Sequence, residues 1–143
     1  MANTLHLAAD HAGFELKEVL KKTLEKQGYQ VIDHGTKSPE SCDYPLFAHS
    51  LCQAVLKDQS LGLLICGSGL GMSMAANRHK GIRAALCSTE LAAKLSREHN
   101  NANVLCLGAR LTGQDLALAI VRAFLAGTFQ GGRHERRVAL IEP

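Results

Sequence analysis

The feature that most constrains this chain is the run Leu61-Gly62-Leu63-Leu64-Ile65-Cys66, which passes without a break into Gly67-Ser68-Gly69-Leu70-Gly71. A strand that is apolar almost throughout, instead of alternating, needs cover on both faces. That environment is the centre of a parallel sheet sandwiched between helices. The rest of the chain supplies what such a sheet requires. Thr4 to Ala9, Gln30 to Asp33, Ile82 to Leu86 and Val104 to Leu107 read as further strands, and helical stripes separate them. Leu16, Val19, Leu20, Thr23 and Leu24 share one stripe, which Gly28 is placed to end. Phe47, Leu51, Ala54 and Val55 form a second, after a loop from Gly35 to Pro45. A helix from about Gly71 to Arg78 follows, then one capped by Ser88 that runs to about His99. A third opens at a capping-box-like pair, Thr112 and Asp115, with Leu116, Ile120, Ala123 and Phe124 on one face. The segment after Gly131 and Gly132 reads as a short helical tail.

Five strands separated by helices, joined by right-handed crossovers, predict a doubly wound open α/β sheet. With 143 residues, no internal repeat and no linker-like stretch, one domain over 1–143 is expected. If the strand order is the common 2-1-3-4-5, the switch point lies between strands one and three. Ligands bind there, outside the carboxyl ends of the strands, which places Asp10-His11 and Cys66-Gly67-Ser68-Gly69 around one crevice.

Composition narrows the partners. No apolar run approaches the roughly 20 residues that cross a bilayer, and the N-terminus has no charged segment leading into an apolar one, so no membrane association and a cytoplasmic location are expected. Aromatics are 4% of the chain and the formal charge is +3. Both are poor matches to a nucleic-acid surface, whereas small anionic ligands fit. The five cysteines, Cys42, Cys52, Cys66, Cys87 and Cys106, form no C-x-x-C pair, which argues against a disulfide framework or zinc site. Cys52, Cys87 and Cys106 read as small buried hydrophobes.

The glycine-rich turn at Cys66 exposes backbone amides at a positive helix end and so reads as an anion cradle. Three familiar versions of that device fail on single residues. A dinucleotide fingerprint would need Gly or Ala where Met72 stands, a Walker loop would need its Gly-Lys-Ser/Thr, and a thiol phosphatase would need arginine at position 72. What remains is a thiol at a strand end followed by amides and the Ser68 hydroxyl. Thiols beside a helix N-terminus ionise more readily, which suits Cys66 to act as base or nucleophile. The polar run Ser96 to Asn103 has an ordinary reading as a helix cap and turn, and that reading is adopted for Asn101 and Asn103. Arg133 and Arg137 stand four residues apart on one helical face, where two guanidiniums can grip one phosphate.

Taken together, several motifs resemble the ribose-5-phosphate isomerase B group and its relatives, the galactose-6-phosphate isomerase subunits. They are Ala9-Asp10-His11-Ala12-Gly13-Phe14, Asp43-Tyr44-Pro45, Ile65 to Gly71, Ala75-Ala76-Asn77-Arg78, Gly81-Ile82-Arg83-Ala84, Arg97-Glu98-His99-Asn100, Asn103-Val104, Gly108-Ala109-Arg110 and Gly131 to Arg137. The resemblance spans essentially the whole chain. It implies a Rossmann-like fold and interconversion of ribulose 5-phosphate and ribose 5-phosphate without metal, nucleotide or other cofactor. It also implies a homodimer, or a dimer of dimers, with active sites at the subunit interface. By the same resemblance Cys66 is the base, and the amides of Gly67, Gly69, Leu70 and Gly71 with the Ser68 hydroxyl stabilise the enediolate. His99 assists ring opening. Asp10, Tyr44 and Asn100 contact sugar hydroxyls, while His11, Arg110, Arg133 and Arg137 hold the phosphate, with His134 in the same motif. Relatives that use a glutamate base carry it on the helix after the glycine loop. Here that helix reads Met72-Ser73-Met74-Ala75-Ala76, with no carboxylate. The alternatives are isomerisation of allose or galactose 6-phosphate, and a non-catalytic sugar-phosphate-binding module on the same fold.

Overall fold

The computed structural model of the chain describes residues 3–143. In chain order its elements are β1 (Thr4–Ala9), a 3₁₀ turn (His11–Gly13), α1 (Phe14–Lys26), β2 (Gln30–Asp33) and α2 (Tyr44–Asp58). Next come β3 (Leu61–Cys66), α3 (Leu70–Ala76), β4 (Ala84–Leu86), α4 (Glu90–Glu98), β5 (Val104–Gly108), α5 (Gln114–Ala126) and α6 (Arg133–Ala139). The five strands form one all-parallel sheet, as the alternation of strand and helix predicts. Among the described residues no helix is long and apolar enough to cross a membrane.

The strand order is β2-β1-β3-β5-β4, so the last two strands are exchanged relative to the common order. Burial explains the exchange. Every residue of β5 is buried, which demands a central place, whereas β4 is three partly exposed residues and suits an edge. The switch point between β1 and β3 is unaffected.

Period-two alternation divides the core into two faces. Leu5, Leu7, Leu63, Ile65, Leu105 and Leu107 point to the side covered by α1, α4 and α5. Ala8, Leu64, Cys66, Val104 and Cys106 point to the side covered by α2 and α3. Each fully buried Leu or Ile contributes roughly 1.5–3 kcal/mol. The pattern also fixes on which face the Cys66 thiol emerges.

Several boundaries differ from the sequence reading for local reasons. α2 starts at Tyr44, inside the expected loop, because Pro45 falls in the first turn, where its missing N–H costs nothing. α4 is capped by Thr89 rather than Ser88: the Thr89 Oγ1 accepts the Ala92 N–H at 3.1 Å. Thr112 and Asp115 form no capping box, since Gly113 is the cap residue and Thr112 lies buried before it. The buried face of α5 is Ala117, Ile120, Val121 and Phe124, leaving Leu116 42% exposed.

One buried charge anchors the carboxyl end of β1. Lys17 is fully buried, and its ammonium donates to Asp33 Oδ2 at 2.6 Å and Glu18 Oε1 at 2.9 Å. Asp33 Oδ1 accepts the Gly35 amide at 2.8 Å. Gly35 and Thr36 in turn bond both backbone groups of Ala9, at 2.8 and 2.7 Å, immediately before Asp10. Burial alone would raise the Asp33 carboxyl, but Lys17, the Gly35 amide and Lys21 outweigh it and hold it below its ordinary value. Its stabilisation is therefore present above the unfolded carboxyl's pKa, near 3.9, and is lost as pH falls through the lower folded value. Asp33→Ala should cost about 3 kcal/mol, because it leaves the buried ammonium only the more exposed Glu18 carboxylate. Lys17→Met should cost less, since Asp33 retains Lys21 and the amide. Urea unfolding at pH 7 measures both, and the deficit of Asp33→Ala should shrink as the titration is carried into the acid range.

Candidate active site

The carboxyl edge of β1, β3 and β5 is drawn together by backbone bonds that cross between loops. Asp10 N donates to Ile65 O at 3.1 Å, Ala109 N to Cys66 O at 2.9 Å and Arg110 N to Gly67 O at 2.9 Å. These bonds close a cleft of about 420 Å³ lined by Asp10, Tyr44, Cys66, Gly67, Ser68, Gly71, Arg110 and Leu111. It lies at the β1/β3 switch point, where the topology requires it. Two glycines make room for the loops. A Cβ on Gly71 would strike the Tyr44 ring, and one on Gly67 would touch the Arg110 guanidinium at 3.4 Å.

Within the cleft, Cys66 Sγ accepts the Gly69 amide at 3.2 Å. Gly69 reaches this position with φ at +81°, a conformation that excludes ordinary side chains. The Leu70 amide donates to Ser68 Oγ at 3.2 Å. The amides of Gly69 and Leu70 are thus engaged within the loop. Asp10 is buried and its Oδ1 accepts from Ala12 and Gly13, at 3.0 and 3.2 Å, which fixes the carboxylate at the cleft wall. His11 Nδ1 accepts the Cys42 amide at 3.2 Å, so the ring carries its proton on Nε2, free to donate outward. Sequence reasoning missed Cys42 as the partner of His11 and Leu111 as a cleft wall. Neither has a chemical signature in its residue type.

His99, Asn100, Arg133, His134 and Arg137 are not in this cleft. In a parallel sheet α4 returns from the carboxyl edge to the amino edge, so His99, its C-cap residue, lies at the opposite end from Cys66. α6 joins it there: the His99 and His134 rings stack 4.3 Å apart at 12°. Slight desolvation, then the neighbours His99, Arg133 and Arg137, lower the His134 ring from its ordinary value. Asn101 and Asn103 are structural, as expected. Asn101 takes a left-handed turn with φ at 49°, and Asn103 bridges the Arg83 amide and the Gly81 carbonyl, at 2.8 and 2.9 Å.

A doubly wound sheet with a thiol and an amide-rich loop at its switch point, flanked by a buried carboxylate and an arginine, defines a class of small-anion enzyme that needs one ionisable base and fixed donors. Residues 5–141 match the Ribose/Galactose Isomerase family, and the chain belongs to it. It is 47% identical over 133 residues to ribose-5-phosphate isomerase B of Escherichia coli, covering 92% of this chain and 89% of that one. Among solved structures it resembles the ribose 5-phosphate isomerase of Thermotoga maritima (TM-score 0.94, 52% identity, 97% of each chain). It also resembles ribose-5-phosphate isomerase B of Mycoplasma genitalium with bound ribulose-5-phosphate (TM-score 0.94, 42% identity, 96% of this chain and 93% of that one).

The other cysteines have distinct environments. Burial pushes the Cys52 thiol up to about 12, and it raises Cys87 and Cys106 as well. Iodoacetamide applied to the folded protein near neutral pH should therefore label Cys66 and the half-exposed Cys42 and spare Cys52, Cys87 and Cys106. Peptide mapping that finds any of these three labelled before unfolding would contradict the assignment.

Proposed function

We propose that this chain interconverts ribulose 5-phosphate and ribose 5-phosphate through an enediolate, with Cys66 as the base, as a single cytoplasmic isomerase domain over 1–143. The observation that carries the reading is the Cys66 sulfur itself: bonded to a loop amide at 3.2 Å, set in a cleft of sugar-phosphate size, beside the one other candidate base, Asp10, whose Oδ1 is already tied to backbone. Its relatives' names support the substrate. Five unpaired cysteines suit a reducing compartment.

In the forward direction of the aldose, the Cys66 thiolate takes the proton from C2 next to the carbonyl, and the charge moves onto oxygen. The loop amides not already engaged, together with the Ser68 hydroxyl, stabilise that enediolate. As the hydroxyl proton passes from O2 to O1 across the enediolate, the thiol returns the carbon-bound proton at C1, giving the ketose with its carbonyl at C2. No electron leaves the substrate. Arg110 and His11 Nε2–H bind the phosphate, and Asp10 and Tyr44 orient hydroxyls.

The reading requires a second copy. One chain holds Cys66 at the carboxyl edge and His99, Asn100 and the α6 arginines at the amino edge, separated by the length of β5, roughly 16 Å. A homodimer that docks the amino-edge group of one copy against the cleft of the other assembles both around one substrate. Exposed apolar side chains on the segments around the cleft, Tyr44, Leu46, Leu70, Met74 and Leu111, give such a partner a surface to cover.

Two experiments test this. Cys66→Ala should abolish exchange of the C2 proton of ribose 5-phosphate into heavy water while leaving the circular dichroism spectrum and melting unchanged. Retained exchange removes the base assignment. Mixing inactive Cys66→Ala and His99→Asn proteins under subunit exchange should restore activity to roughly a quarter of the sites, because each mixed dimer rebuilds one intact site. If each site lies within one chain, nothing is restored. A parallel kcat/KM comparison with allose and galactose 6-phosphates separates five- from six-carbon specificity, and binding without any turnover would favour a non-catalytic module.

A further inference from the structure

α6 carries Arg133, His134 and Arg137 yet buries none of its residues. A seven-residue helix is marginal in water without an apolar face to pack, so something other than burial must orient it. Its start is tied by Gln130, whose amide donates to Glu98 O at 3.0 Å, and by the stack of His134 on His99. Its end is tied by Glu142, whose Oε1 accepts the Gly81 amide at 3.0 Å.

Gly81 belongs to a compact polar hub. Its carbonyl accepts Asn103 Nδ2 at 2.9 Å and Arg83 Nη1 at 3.3 Å. Arg83 Nε donates to Asn101 O at 2.7 Å, and the Arg83 amide donates to Asn103 Oδ1 at 2.8 Å. The same hub therefore holds the turn that presents His99 and Asn100. Glu142 and Arg83 line one cavity of about 420 Å³ together with Asn100 and Ile141. The charge of Glu142 reaches the partly desolvated guanidinium of Arg83.

We propose that Glu142 is a positioning residue: its carboxylate latches the arm carrying Arg133, His134 and Arg137 onto the Gly81–Arg83–Asn103 hub, and so sets those arginines in register with His99 and Asn100. The proposal rests on the reading that Arg133 and Arg137 grip the substrate phosphate. A latch on a phosphate grip acts on binding of substrate and transition state alike, so its loss raises KM and leaves kcat in place.

The test uses the full chain with ribose 5-phosphate. Glu142→Ala should raise KM roughly tenfold, the loss of one charge-assisted hydrogen bond, with kcat within about twofold. Amide exchange across 134–140 should accelerate. Glu142→Gln keeps the Oε1 acceptor but not the charge, and should restore most of both readouts. Arg137→Ala, measured beside them, should raise KM without accelerating exchange. If Arg137→Ala raises KM while Glu142→Ala changes neither KM nor exchange, the latch is overturned and the phosphate grip stands. If Glu142→Ala lowers kcat and melting temperature with KM unchanged, Glu142 is merely structural and the proposal fails. If Arg137→Ala leaves KM unchanged, the grip itself is wrong and the latch as stated falls with it.

Discussion

The cleft depends on how closely the loops after β1 and β5 can approach the end of β3. The Ile65, Cys66 and Gly67 carbonyls each accept an amide from a neighbouring loop, and those three bonds bring Asp10, Cys66 and Arg110 to one wall. Such approach leaves no room for side chains. A Cβ on Gly13 would stand 2.7 Å from the Ile65 carbonyl oxygen, and one on Gly108 would stand 2.5 Å from that of Ser68. Both positions meet backbone atoms, which cannot swing aside. A methyl at either position would push the β1 or β5 loop off β3 and open the wall that holds the thiol.

That constraint explains which parts of the architecture were legible in the sequence. The apolar run Leu61–Cys66, the glycines after it and the strand–helix alternation all encode burial and close approach, and the structure places them as those patterns require. The exchange of β4 and β5 was not legible from strand periodicity, because order depends on which strand can tolerate an edge. Only the comparison of a fully buried β5 with a three-residue, part-exposed β4 resolves it. Helix caps failed for a related reason. Ser88 and Thr89 are adjacent hydroxyls of nearly equal capping tendency, and the choice between them lies in backbone geometry at Thr89, with ψ at 156°.

The site divides along the same line. The residues at the switch point, Asp10, His11, Cys66 and Ser68, lie together because topology alone converges them. His99, Asn100 and the α6 arginines have no such topological reason to join them, and within one chain the sheet keeps them at its other edge. The pairing with Cys66 that we propose for them would be a property of assembly, which strand and helix periodicity cannot encode. The exposed apolar side chains flanking the cleft are the surface that the proposed dimer would cover.

The two edges also differ in what holds them rigid. The cleft wall is built on β1, β3 and β5 and is fixed by the core on both faces of the sheet. The amino-edge group rests on polar contacts: the Arg83 and Asn103 hydrogen bonds, the His99–His134 stack, and α6 with no buried residue. On the proposed mechanism the base must be placed closely, which suits a thiol at the end of a central strand buried in all but its first residue. On the proposed reading the amino-edge group admits and releases a phosphorylated sugar, and it gains from a support that yields more readily, because segments with few buried apolar contacts open at lower cost than core strands. Rigidity at Cys66 and compliance at α6 are thus consequences of where each sits relative to the sheet.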